Sequence, residues 1–271
     1  MTYFACRLVA PAMVFVWVIS PATAQQAQSK ADWTHDVQTY FYKDPRPERL
    51  VGFIATYDAA TPTPQWGAYP PVAGLFAVVL RTHPTWIGKL VPARLNSKSA
   101  DTVIAALQLS GQFQKAGPWM AAQIRQAGSD ERLRSEFADL PTRLEDIRIQ
   151  TPTHLDILWG ASFASGDARF ARMIADFSAR TANRSEQAAV DVAQTALAIM
   201  GGPKDILGQL RGRHGDAVAR EIVYAATALW ALQSNARQHP FVDEAFTKYI
   251  QEHSGTLAAK AFSVVRFKKQ K

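Results

Sequence analysis

A single cysteine, Cys6, occurs in the 271 residues. One thiol can form no intrachain disulfide and cannot supply a cysteine-based metal cluster. The six histidines, His35, His83, His154, His214, His239 and His253, include no pair at H-E-x-x-H spacing, which excludes the helical zinc-protease motif. No G-x-S-x-G presents a nucleophilic serine on a strand-to-helix elbow, and no G-x-x-x-x-G-K-[ST] loop cradles phosphates. No apolar run reaches the roughly 20 residues that a membrane-crossing helix needs. Nothing alternates apolar and polar residues with period two over a useful length, so strands are not expected. These absences lead to three expectations: no metal, no cofactor and no catalytic residue set.

What is present begins with a leader. Within Met1–Ala24, Arg7 is the only charge, Leu8–Ile19 is apolar, and Ala22-Thr23-Ala24 is an A-x-A cleavage site. The segment reads as a secretory signal peptide, leaving a single domain over 25–271 and an exported protein, periplasmic or extracellular. Cys6 leaves with it, and a chain without thiols suits an oxidising compartment. No integral span is expected after cleavage. The alternative is an uncleaved anchor.

The residues 151–180, TPTHLDILWGASFASGDARFARMIADFSAR, then read as a helical hairpin. Leu155, Leu158, Trp159 and Ser162, with Phe163 beside them, form one stripe of period 3.6; Phe170, Met173, Ile174 and Phe177 form the other. Thr151 before Pro152 offers an N-cap with proline at the first helical position. Thr153 and Asp156 offer a second start of the capping-box kind. Ser165-Gly166 stops the first helix and Asp167 caps the second. Arg172, Asp176 and Arg180 stand four apart, where they can pair.

Similar junctions recur. Taking Pro47, Pro84, Pro118, Asp167, Pro203 and Pro240, the spacings are 37, 34, 49, 36 and 37 residues, four of them in the range of two-helix repeats. Apolar stripes flank each junction, for instance Val72, Leu75, Phe76 and Val79 before Pro84, with Trp86, Ile87, Leu90 and Val91 after it. The fold class expected is all-α: stacked antiparallel helical hairpins over about 30–253, forming an α-solenoid or an irregular helical bundle. In spacing and hairpin form the array resembles tetratricopeptide-type proteins, although Ser162-Phe163 follows Trp159 where that family has Leu-Gly. The resemblance implies a concave scaffold that binds peptides or proteins.

Two stretches break the period. Residues 60–71, ATPTPQWGAYPP, are too rich in proline for continuous helix. Trp66 and Tyr69 within them are candidate binding anchors or, on the preferred reading, a cover for the first hairpins. Residues 128–150 form an insertion with ten charges of both signs, which reads as a solvated helix face laced with weak ion pairs. His83 and His239 both precede a helix-starting proline, which suggests a structural role at the turn. Trp33, Trp86, Trp159 and Trp230 sit at stripe positions and are assigned to the core.

The formal charge is +7, and +6 once Arg7 is gone. Basic surface favours an anionic partner. Arg211 and Arg213 form a basic turn and are further candidate binding residues, whereas the basic tail, 266–271, reads as a frayed, solvated end. Nucleic acid is not expected, because the aromatics belong to the core rather than to a basic groove. The preferred reading is a non-catalytic exported scaffold that binds a protein or an anionic envelope component. The alternatives are an enzyme whose site is assembled from sequence-distant residues, and a carrier of a hydrophobic ligand in a helical cavity.

Overall fold

The most apolar run of the sequence after the leader, Pro70–Leu80, makes the helix on which the N-terminal half is built. The computed structural model describes residues 32–60, 68–115, 122, 125–201 and 205–267. In chain order these contain α1 (32–40), α2 (Phe53–Ala60), α3 (Pro70–Thr82), the four-residue α4 (Ile87–Leu90), α5 (Ser97–Leu109), α6 (Glu131–Phe137) and α7 (Pro152–Ser165). They continue with α8 (Ala168–Ala182), α9 (Glu186–Met200), α10 (Ile206–His214), α11 (Asp216–Ala236), α12 (Pro240–Glu252) and α13 (Leu257–Phe267). No strand occurs among the described residues, and the protein is all-α. Among the same residues, no helix is long and apolar enough to cross a membrane.

Helix α3 opens with two prolines, whose fixed φ suits the first turn. From Val72 to Leu80 every residue is buried, so the helix needs partners on all sides. Its most extensive neighbour is α7, with α5 next. The α3–α7 crossing is made backbone to backbone. A methyl group added at Gly74 would run into the Ile157 carbonyl, and one at Gly160 into the Pro71 carbonyl. Glycine is used here for close approach, not for an unusual φ.

The hairpin expected over 151–180 is formed by α7 and α8. Gly166 closes α7 in the left-handed conformation at φ 67°, and the Asp167 carboxylate accepts the Arg169 N–H at 2.8 Å. Three details differ. Thr151 occupies the N-cap position without a side-chain capping bond, and its hydroxyl is buried without a partner. Thr153 donates to Glu136 at 2.8 Å instead of closing a capping box, because α6 lies against the start of α7. Arg172 forms its ion pair with Glu252 of α12 at 2.6 Å, with Asp176 acting on it only through space, and Arg180 lies over the Phe177 ring of its own helix, so the expected i,i+4 ion pairs are not formed.

Helix α8 is the hub of the C-terminal half and touches α7, α9, α11, α12 and α13. The junction at Pro240 starts a true helix, α12. The junctions at Pro47 and Pro84 start only 3-10 turns, Pro47–Leu50 and Pro84–Trp86, and the second of these leads into the single turn α4. The junctions at Pro118 and Pro203, the leader and residues 268–271 lie outside the described residues. The tail expectation is corrected where it can be seen: Arg266 ends a packed helix, bonds Asp243 at 2.8 Å and lies over the Phe246 ring. Trp230 is also corrected. It is 36% exposed, whereas Trp159 is buried and Trp33 and Trp86 pack partly buried against the core.

The charged insertion is not one solvated helix. It is a strap: α6, a 3-10 turn Leu144–Asp146, and extended backbone between them. Leu133, Phe137, Leu140, Leu144, Ile147 and Ile149 are buried along it. From Leu133 to Ile147 their alternate spacing of four and three is helical, but Pro141 removes a backbone donor and stops the helix after α6. Glu145 anchors the strap to α3 through Arg81 at 2.6 Å.

The glycine crossing yields the first prediction. Gly160→Ala forces α3 and α7 apart and should lower stability by about 3 kcal/mol or more. Gly212→Ala, whose Cβ meets nothing within 4 Å, should be neutral or stabilising by about 1 kcal/mol. Urea midpoints of the two variants check both. Asp156 yields the second. It is half-buried on α7 with no hydrogen bond or ion pair among the described residues, and burial pushes its carboxyl up to about 7. An acid whose pKa rises on folding keeps its proton in the native state, so its contribution is intact below about pH 4 and is lost as pH rises to about 7. Asp156→Asn should therefore melt higher than the parent at pH 8, by on the order of 2–4 kcal/mol, and with it at pH 4.

Candidate functional site

Helix α5 carries Asp101, Ile104 and Gln108 at i, i+3 and i+7, so they share a face. That face and α6 enclose a cleft of about 470 Å³, lined also by Arg125, Ser129, Arg134 and Phe137. The volume is in the range of small-molecule and short-peptide sites. Ile104 and Phe137 supply its apolar surface. Gln108 is fixed by its amide, which donates to the Leu140 carbonyl of the strap.

The cleft holds one buried carboxylate and two arginines, and their situations differ. Asp101 is 6% exposed. Its carboxylate accepts the Asp130 N–H at 2.6 Å and the Ser129 hydroxyl at 3.3 Å. Burial pushes its pKa up, and those two hydrogen bonds oppose the rise. Asp130 in turn caps α6 by accepting the Leu133 N–H at 3.0 Å. Gly128 turns the chain into this cap at φ 79°. Asp101 is thus occupied in holding the start of α6. Arg125 and Arg134 are exposed and form no hydrogen bond or ion pair among the described residues, although Arg134 lies close enough to help lower the Asp101 pKa. The arrangement can hold an anionic group at the rim with apolar matter beneath it. The Ser129 hydroxyl beside that carboxylate belongs to the same arrangement at the start of α6.

The second concentration of polar groups surrounds His239, which is fully buried. Its ring stacks on Phe163 at 4.5 Å and touches Tyr40, Tyr42 and Phe241. The Tyr42 hydroxyl lies 3.2 Å from Nδ1, while Nε2 and the Trp159 Nε1 have no partner. Burial, with a smaller contribution from Lys43, lowers the His239 pKa to about 4. The residue lines neither the α5–α6 cleft nor the groove between α9 and α13. It is a packed ring that ties residues 40–42 to α7 and α12.

The residues singled out in the sequence lie elsewhere. Trp66 is outside the described residues. Tyr69 is not an exposed anchor: it is 1% exposed and donates to Asp58 at 3.0 Å, a carboxylate that also accepts from Ser99 at 2.7 Å. Through Asp58 of α2 the two bonds tie the start of α3 and α5 together, and the Tyr69 hydroxyl is committed to that contact. Arg211 pairs with Asp216 at 2.6 Å. Arg213 and His214 both bond the fully buried Asp191, each at 2.7 Å. These residues fasten α10 to α9 and α11. Sequence reasoning assigned the insertion's charges to solvent and did not single out Arg125 or Arg134. The available signal was the apolar spacing within that insertion, which marks a wall of the core rather than a surface helix.

Compared with protein-family models, with curated proteins and with solved structures, the chain matches none. Among the described residues, no three of His, Cys, Asp and Glu are grouped as a metal ion would require.

His239 supplies the third prediction. A base whose pKa falls on folding is neutral in the native state, so the unfolded chain takes the proton first. Stability is intact above about pH 6.5 and declines as pH falls to about 4. His239→Phe should flatten that acid limb, read as the melting temperature between pH 7 and pH 4. The contribution of Asp156 runs the other way over the same range, so the two single variants are needed to resolve slopes that partly cancel in the parent.

Proposed function

We propose that this protein is an exported, non-catalytic helical scaffold that binds a protein or envelope partner through an anionic group seated in the α5–α6 cleft. One observation carries the reading: Arg125 and Arg134 stand without ion partners among the described residues, over the apolar Ile104 and Phe137, while the neighbouring carboxylate is committed to the fold. A guanidinium presents a planar set of donors to a carboxylate or phosphate, and the apolar floor favours a group with carbon beside its charge. Elsewhere, Arg81, Arg172, Arg184 and Arg213 are each held by an acid of the chain itself, whereas Arg125 and Arg134 line one cleft together. Export rests on the residues of Met1–Ala24 and is checked by fractionation of the source cells and by finding Gln25 as the first residue.

The fourth prediction tests the cleft by titration calorimetry at two salt concentrations. The probes are an acidic peptide containing leucine or phenylalanine and vesicles of an anionic phospholipid. Binding to at least one should weaken with salt, as a charge contact requires. Arg125→Ala and Arg134→Ala should each weaken it about tenfold, the loss of one charge-assisted contact. Unaltered binding in both variants, or no binding to either probe, overturns the reading.

A further inference from the structure

Helices α9 and α13 leave a second depression, on a different face of the contact network from the α5–α6 cleft. It is a groove of about 410 Å³ with a largely apolar lining. Its floor is made by Ala189, Ala193 and Ala261, all buried. Small side chains there leave room for another element to approach closely. Val190 on α9 and Val264 on α13 also line it, and they are 45% and 56% exposed. With the alanines between them they make one continuous apolar surface, and it is contiguous patches rather than single exposed residues that mark contact sites.

The charges on this surface are informative about its occupant. One acid, Glu186 of α9, and one base, Lys260 of α13, line the groove. Both are exposed, and neither has an ion partner among the described residues. An acidic or a basic partner would be favoured by a groove of a single opposite sign. A groove that carries one charge of each sign, unpaired, on opposite walls is complementary to a copy of itself. Under a two-fold axis, each Glu186 can face the other protomer's Lys260, and the contact is made twice.

We infer that the α9–α13 groove is the seam of a homodimer, with Val190 and Val264 of each copy covered by the other and Glu186 paired reciprocally with Lys260. Sedimentation of the purified chain over a range of concentrations should show a reversible monomer–dimer equilibrium. Val264→Glu places a charge in the apolar seam and should leave a monomer. Glu186→Lys and Lys260→Glu should each raise the dimer dissociation constant about tenfold, since two symmetry-related pairs become repulsive. The double variant carrying both reversals should return toward the parent value. The side chains are exposed, so helix content and melting temperature should stay at parental values in the monomeric state. A chain that remains monomeric at about 100 µM, or a double variant no tighter than the singles, overturns the proposal.

Discussion

Two helices in this protein touch through their backbones, and much else depends on that contact. With no Cβ at Gly74 or Gly160, α3 and α7 approach to the point where each glycine lies against a carbonyl of the other helix. Such closeness removes water from both helix surfaces and makes dispersion contact dense along the crossing. It also commits α3 to burial on nearly every side. A helix that apolar needs a cover on the faces α7 does not reach. Helix α5 provides one part, and the strap of residues 131–150 meets α5 and is pinned to α3 by Glu145.

The strap explains how an element that looks like surface comes to form one wall of a cleft. Its buried residues face inward at Leu133, Phe137, Leu140, Leu144 and Ile147, and the charges between them necessarily face out or sideways. Asp101 and Asp130 fix where the strap begins, by backbone hydrogen bonds that need no long side chain to be ordered. Arg134, projecting from the first turns beyond that cap, is therefore placed by a rigid start rather than by a partner of its own. An Arg134 guanidinium without an ion partner among the described residues is a consequence of how the strap is attached.

Elements whose signal is local were legible in the sequence. The α7–α8 hairpin was readable because its stripes, its stop at Gly166 and its cap at Asp167 all lie within thirty residues. The helices α3, α9, α11 and α12 were readable from periodicity for the same reason. The closest packing was not, because a glycine inside a helix has the same appearance whether it weakens the helix or admits a neighbour. Only the partner, some eighty residues away, distinguishes the two. The same limit applies to Thr153, whose spacing to Asp156 suggests a capping box while its hydroxyl is taken by Glu136; for Tyr69, the sequence leaves two readings open, and the buried one holds because Asp58 and the aromatic ring of Tyr57 keep it inside.

Charge shows the limit most clearly, because the net value and the local arrangement point to different places. An excess of seven positive charges drew attention to Arg211, Arg213 and the tail, where basic residues are adjacent in sequence. In space Arg211, Arg213 and Arg266 meet Asp216, Asp191 and Asp243, so at these described positions bases clustered along the chain are each held by an acid. Arg125 and Arg134 are unremarkable in sequence, since acids surround Arg134 on both sides. They are left over because the acids beside them have other obligations: Asp101 to the backbone of the turn, Asp130 to the cap and to Lys98. An arginine is available to a ligand when the fold has already used the carboxylates within its reach. That accounting is three-dimensional, and a tally of charges along the chain cannot perform it.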